Sequence, residues 1–301
     1  MIRVDQLNEQ FGIANQITFK AGPGDLPVAE ITNRYATAAV ALHGAHLIAY
    51  QPRGQLPLIW LSNFSDYRPG KAIRGGIPLC WPWFGPHPTD SSKPAHGLAR
   101  ITMWEVLSTA VMAEARTEIR FGLRDDIASR ALWPHPFALE TVVSVGPDLR
   151  VELIAHNTGD LPFTCGAALH TYFAISDIDH VSIHGLENLA YIDKVDGDQR
   201  KIQQGPIIFT AETDRIYLDT GDDCLIYDPG LRRRIRVTKA GSRTTVVWNP
   251  WIDKARRMTD FGDNDYRTML CVETANAAAD LITLPPGGKH HLVTAISTGP
   301  A

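Results

Sequence analysis

The sequence predicts an all-β sandwich of large antiparallel sheets with few short helices, and three observations carry that prediction. Segments with approximate two-residue alternation recur along the chain, and turn clusters such as Gly146-Pro147-Asp148 and Asn157-Thr158-Gly159-Asp160 separate them. The apolar period of an amphipathic helix is almost absent. With 301 residues, 44% hydrophobic and 21% charged, and no linker or composition shift, the chain is long enough for one large core and reads as a single domain over residues 1–301.

Taken in order, Ala29-Glu30-Ile31, residues 35–42 and Leu47-Ile48-Ala49-Tyr50 read as short strands joined by tight turns. His43 and His46 have a spacing that would put two ligands on one helix face, but strand-and-turn surroundings make them structural. Beyond residue 100 the alternation strengthens in residues 101–107, 117–123, 139–145 and 149–156, where Val151, Leu153 and Ala155 oppose Arg150, Glu152 and His156. Residues 181–184, 207–209, 224–227, 235–237 and 244–248 continue the series. One helix is expected, near residues 252–261, with Lys254, Arg256 and Arg257 as a solvated basic cluster. Cys80, Cys165, Cys224 and Cys271 are far apart in apolar surroundings and read as reduced core residues.

Several function classes lose ground at once. A formal charge of -4 and a pI near 6.2 give no basic field for nucleic acid or an anionic membrane. No signal-like apolar stretch follows the N-terminus and no run approaches a membrane span, so a cytoplasmic protein is expected. Neither a Walker loop, nor a G-x-G-x-x-G after a strand, nor a G-x-S-x-G elbow is present, which removes most nucleotide-dependent and serine-hydrolase chemistry.

The stretch at residues 73–100, IRGGIPLCWPWFGPHPTDSSKPAHGLAR, breaks core rules. Prolines at 78, 82, 86, 88 and 94 forbid a long helix, and Gly75-Gly76 after Arg74 permits a bend or a close approach. Trp81, Trp83 and Phe84 supply apolar mass, while Arg74, His96 and Arg100 supply polar groups to aim; a long surface loop pinned by aromatics is one reading, and the two arginines and two histidines favour the other, a shaped binding loop.

Two further segments could carry chemistry. In CGAALHTYF, residues 165–173, strand period puts Gly166, Ala168, His170 and Tyr172 on one face, a floor of small residues with an imidazole able to move a proton near neutral pH. A core histidine bonded to a backbone carbonyl is the other reading. In MLCVETAN, residues 269–276, Glu273 interrupts an apolar strand and must have a partner or a task, since an unpaired buried carboxylate costs several kcal/mol or keeps its proton. A structural ion pair is the alternative there. Asp214 is a weaker candidate, because an acid beside an arginine is commonplace.

Five blocks, Arg74-Gly75-Gly76-Ile77-Pro78-Leu79-Cys80-Trp81-Pro82-Trp83-Phe84-Gly85, His96-Gly97-Leu98-Ala99-Arg100, Ala168-Leu169-His170-Thr171-Tyr172-Phe173, Trp248-Asn249-Pro250-Trp251 and Cys271-Val272-Glu273, resemble the hexose-6-phosphate mutarotase branch of the aldose 1-epimerase family over residues 19–294. The resemblance implies a galactose-mutarotase-like β-supersandwich that interconverts the α and β anomers of glucose 6-phosphate. It implies His170 as general acid and Glu273 as general base, with Arg74, His96, Arg100 and Asp214 around the substrate. No cofactor or metal is then required, and the expected partner is a small-molecule substrate, a hexose 6-phosphate, with no nucleic acid and no membrane; the protein is expected to be a monomer. A mutarotase for unphosphorylated hexose and a non-catalytic carbohydrate sensor remain the competing readings. Leu98 stands where the family usually has Phe, and Ala95 where some members carry a substrate-binding Gln.

Overall fold

Antiparallel sheets dominate the computed structural model, which describes residues 3–300. A four-stranded meander of Ile17–Ala21, Pro27–Thr32, Ala36–Ala41 and His46–Pro52 opens the chain. Two eight-stranded sheets follow. The outer one runs in the order Ser182–His184, Cys224–Asp228, Arg233–Ala240, Lys289–Pro300, Leu149–Asn157, Phe137–Val145, Thr117–Arg124, Glu105–Val111. The inner one orders Gln199–Ile202, Ala190–Asp193, Thr213–Leu218, Thr244–Asn249, Met269–Asn276, Ala167–Leu169 and Leu79–Cys80, with Tyr172–Ala174 also paired to Met269–Asn276.

Burial tells the two sheets apart. Leu149–Asn157 alternates buried and half-exposed residues, as expected of a sheet with one face on the core. Thr244–Asn249 and Met269–Asn276 are buried at every position, so both faces of the inner sheet are covered at its centre, while its edge strand Gln199–Ile202 is mostly exposed. One face meets the main core, where Trp81, Trp104, Phe121, Phe137 and Phe173 are fully buried. A layer of loops stands over part of the other.

The alternating segments at 117–123, 139–145, 149–156, 224–227, 235–237 and 244–248 lie in strands, and all four cysteines are free and buried. Residues 101–107 divide, with a 3-10 turn at Ala99–Ile101 before the strand Glu105–Val111, and residues 207–209 contribute only an isolated bridge between Ile207 and Ile183. The expected helix ends early, at Trp251–Arg257. Two helices were not expected, Val4–Phe11 and Ile127–Leu132. Both are too short to display a period, and the second starts on a capping box in which Asp126 and Ser129 bond reciprocally. His43 and His46 prove structural, their Nε2 atoms 2.7 Å from the carbonyl oxygens of Lys71 and Gly75.

Candidate active site

The Pro-rich loop folds back on itself. Leu98 N–H donates to the Trp81 carbonyl (2.9 Å), His96 N–H to the Gly85 carbonyl (2.7 Å), and the Trp83 indole to the Pro94 carbonyl (3.0 Å). Gly76, at φ 69°, is indispensable to its entry, because a Cβ there would lie 2.3 Å from the Leu47 carbonyl oxygen and 2.5 Å from His46 Nε2. The pinned loop walls a cavity of about 830 Å³ over the inner sheet.

Strand register explains the floor. Ala168 pairs with Ala275 and Tyr172 with Cys271, so His170, midway between, falls opposite Glu273 on the same face. The ladder is interrupted there, His170 N–H donating to the Pro78 carbonyl, and the single strand expected over 165–173 is split in three. The shared face survives, and the His170 and Tyr172 rings stack at 4.8 Å. His170 Nε2 lies 3.4 Å from Glu273 Oε1, with the two side chains 8% and 1% exposed. His170 Nδ1 and Glu273 Oε2 are buried without a partner. Burial pushes the Glu273 carboxyl well above its ordinary range; Asp214 adds to this and Arg100 opposes it. Burial likewise holds the His170 imidazole well below its ordinary range, helped by His96, Arg100 and Arg74. Both groups are driven toward their neutral forms.

Of the remaining expected site residues, Arg74, His96 and Asp214 line the cavity. Arg74 arrives already engaged. Its Nε (3.1 Å) and Nη2 (3.0 Å) donate to Asp260 Oδ2, and its Nη1 (3.0 Å) to the Tyr172 hydroxyl. Asp214, on Thr213–Leu218, lies 3.9 Å from Lys254 Nζ and has its pKa raised by burial. His96 stands 5.5 Å from His170, ring to ring, and accepts from Gly85 N–H through Nδ1. Arg100 is not in the lining. Its Nη2 donates to the Ala95 carbonyl and its Nε is buried without a partner, so its charge reaches His96, His170 and Glu273 from behind the wall.

Sequence reasoning missed four participants. Lys254, expected in a solvated cluster, lines the cavity with Nζ 2.8 Å from Glu212 Oε1, and Lys194 lines it paired with Asp198. Asp260 and Cys271 gave no signal as site residues. No ligand-spaced cluster was expected either, yet the fold gathers His170, Cys271 and Glu273 so that one ligand atom of each lies within 4.8 Å of the others. The i, i+2 relation of Cys271 and Glu273 was visible, but strand pairing with 165–173 was not.

A histidine and a glutamate meet on a sheet floor beneath an aromatic and cationic wall. The family described as aldose 1-epimerase matches residues 27–297, and the chain belongs to it. It is accordingly an isomerase of the mutarotase class. A protein of Escherichia coli (strain K12), provisionally named a glucose-6-phosphate 1-epimerase, is 37% identical over 255 residues, covering 84% of each chain. One from Cenchrus ciliaris with the same provisional name is 36% identical over 277 residues, covering 89% of this chain and 83% of its own. A crystal structure of a provisionally described mutarotase from Salmonella typhimurium superposes with a TM-score of 0.90 at 31% identity over 99% of both chains. A galactose mutarotase related enzyme from Lactobacillus acidophilus, 16% identical with a TM-score of 0.70 over 90% of this chain and 96% of its own, shares the fold.

Proposed function

We propose that this chain interconverts the α and β anomers of a hexose 6-phosphate such as glucose 6-phosphate, with Glu273 and His170 exchanging the two protons. The observation that carries the reading is the buried His170–Glu273 pair, 3.4 Å apart with an unpartnered atom on each side chain, on the floor of a cavity lined by both. Glu273 takes the proton of the anomeric hydroxyl while His170 protonates the ring oxygen. The ring opens, the aldehyde turns about the bond to its neighbouring carbon, and reclosure reverses both transfers. Before opening the pair is carboxylate and imidazolium; after it, carboxylic acid and neutral imidazole. Burial favours the neutral arrangement, so the closed sugar's hydroxyls must solvate the charged one, and the positive field of Arg100 supports the ionised carboxylate. Each positioned proton carrier supplies about 10²–10⁴-fold, ample for a reaction that proceeds unaided in water.

For the phosphate, Arg74 is the cavity-lining guanidinium. Asp260 holds its Nε and Nη2 and the Tyr172 hydroxyl its Nη1, which fixes the plane of the guanidinium and leaves the second N–H of each terminal nitrogen for a dianion. The provisional names of the relatives point to the same substrate. One observation favours a mutarotase for unphosphorylated hexose instead: among the described residues, each arginine or lysine of the lining already faces a carboxylate, Arg74 with Asp260, Lys194 with Asp198 and Lys254 with Glu212. Anomer exchange followed by NMR with glucose and glucose 6-phosphate side by side decides between them. Much faster exchange of the phosphorylated sugar is expected. Equal or faster exchange of glucose would move the assignment to the free hexose, and no exchange of either would leave a binding protein.

A further inference from the structure

The fold brings three metal-binding side chains to one point at the cavity floor. Cys271 and Glu273 stand two residues apart on Met269–Asn276 and so project from the same face, and His170 lies opposite Glu273. One ligand atom from each of the three lies within 4.8 Å of the others. Around tetrahedral zinc, bonds of about 2.0–2.3 Å set ligand atoms about 3.3–3.8 Å apart. The imidazole and carboxylate, at 3.4 Å, already have that spacing, and the thiol needs to close by at most about 1 Å. The ion would take His170 Nε2 and Glu273 Oε1; the unpartnered buried Glu273 Oε2 gives the carboxylate a second oxygen to turn toward it, while His170 Nδ1, on the far side of the ring, stays outside the coordination. Both residues line the cavity, which leaves a fourth position open to water. Cys271 is fully buried, lies outside the lining, and is used by no step of the proton exchange.

We propose that His170, Cys271 and Glu273 form a three-ligand site for a thiophilic divalent cation such as zinc or cadmium, and that the ion inhibits by competing with the sugar. On binding, the Cys271 S–H bond breaks, its proton leaves to solvent and a sulfur–metal bond forms. The metal ties up both proton carriers, so it is an inhibitor rather than a cofactor. The inhibition rests on the functional reading above; the coordination does not.

Cadmium titration of the purified full chain, followed by the ultraviolet thiolate-to-metal charge-transfer band, tests the coordination directly. One ion per chain is expected, with the band abolished in Cys271→Ser, kept in Cys224→Ser, and formed with about 10-fold or more weaker affinity in His170→Ala and Glu273→Gln, since a direct ligand is worth at least as much as an outer-shell partner. If Cys271→Ser fails to fold by circular dichroism, Cys271→Ala replaces it. A band that survives loss of Cys271, or that ignores both the His170 and Glu273 substitutions, overturns the site. In the anomer-exchange assay, zinc should raise the apparent KM and EDTA should reverse the effect; inhibition that saturating sugar does not relieve overturns the competition. If Glu273→Gln kept full activity, the functional reading would fall while the charge-transfer band still reported on the metal site.

Discussion

Two strands of similar length, one in each large sheet, carry a buried polar residue, and they treat it in opposite ways. Asn157 closes Leu149–Asn157 with every group satisfied: its amide donates to the Leu161 and Leu284 carbonyls at 2.9 Å each, and its oxygen accepts from Gly159 N–H at 3.0 Å. Glu273, in Met269–Asn276, faces an imidazole at 3.4 Å and leaves Oε2 with nothing. A satisfied buried polar group ties chain segments together. An unsatisfied one beside a cavity costs stability, which makes it a candidate for chemistry.

The contrast breaks most sharply at Glu273. Glu273→Gln keeps size and hydrogen bonding but removes basicity, so the anomerisation rate should fall by about 10²–10⁴-fold with the fold intact. A folded Gln variant turning over near the wild-type rate would end the base assignment. Asn157→Ala should do the reverse. It strips partners from two carbonyls and one N–H, and denaturant melts should show a loss of at least about 1–3 kcal/mol while kcat at low temperature stays within about twofold. Lost activity without lost stability would make Asn157 part of the site.

The same contrast explains what could be read from the sequence. Leu149–Asn157 alternates because one face sees solvent, so its period is written in the residues. Met269–Asn276 is covered on both faces and shows only an apolar run with a carboxylate in it. Glu273 was legible as an anomaly and His170 as an imidazole among small residues. Their meeting was not, because it depends on the pairing of Ala168 with Ala275 and Tyr172 with Cys271 across about a hundred residues of chain. Asp260 was invisible for the same reason: an ordinary acid after a short helix becomes the holder of Arg74 only once the loop at 73–100 is folded. Lys254 looked solvated because its helix is basic, and only the fold shows that its amine turns over the Trp248 ring toward Glu212.

The two arginines of the loop divide along the same line. Arg74 lines the cavity and Arg100 acts through the wall, so Arg74→Ala should raise KM for glucose 6-phosphate by about one to two powers of ten, as expected for the loss of a charged hydrogen bond, with little change on free glucose. Arg100→Ala should instead shift the pH dependence of kcat/KM upward on both sugars, because the charge that favours ionised Glu273 is gone. A KM effect confined to the phosphorylated sugar in Arg100→Ala would put that guanidinium on the phosphate after all.

The smallest expected effect follows from what Glu273 does to stability. Its carboxyl pKa is raised well above 4.5 in the folded protein, so over the interval between those values the folded state holds a proton that the unfolded chain has released. Stability therefore falls as pH rises through that interval, by at most about 1.4 kcal/mol per pH unit. His170 works in the other direction, since its depressed pKa makes the unfolded chain take up a proton below 6.5 that the folded state refuses, and stability falls as pH drops. Wild-type melts alone mix the two. The difference between Glu273→Gln and wild type isolates the first: the Gln variant should gain little at pH 5 and progressively more toward pH 7, because the glutamine cannot ionise at any pH. A gap in melting temperature that stayed flat over that range would mean that Glu273 is no harder to ionise in the fold than in the open chain. The buried, half-partnered carboxylate would then lose its claim to differ in kind from Asn157.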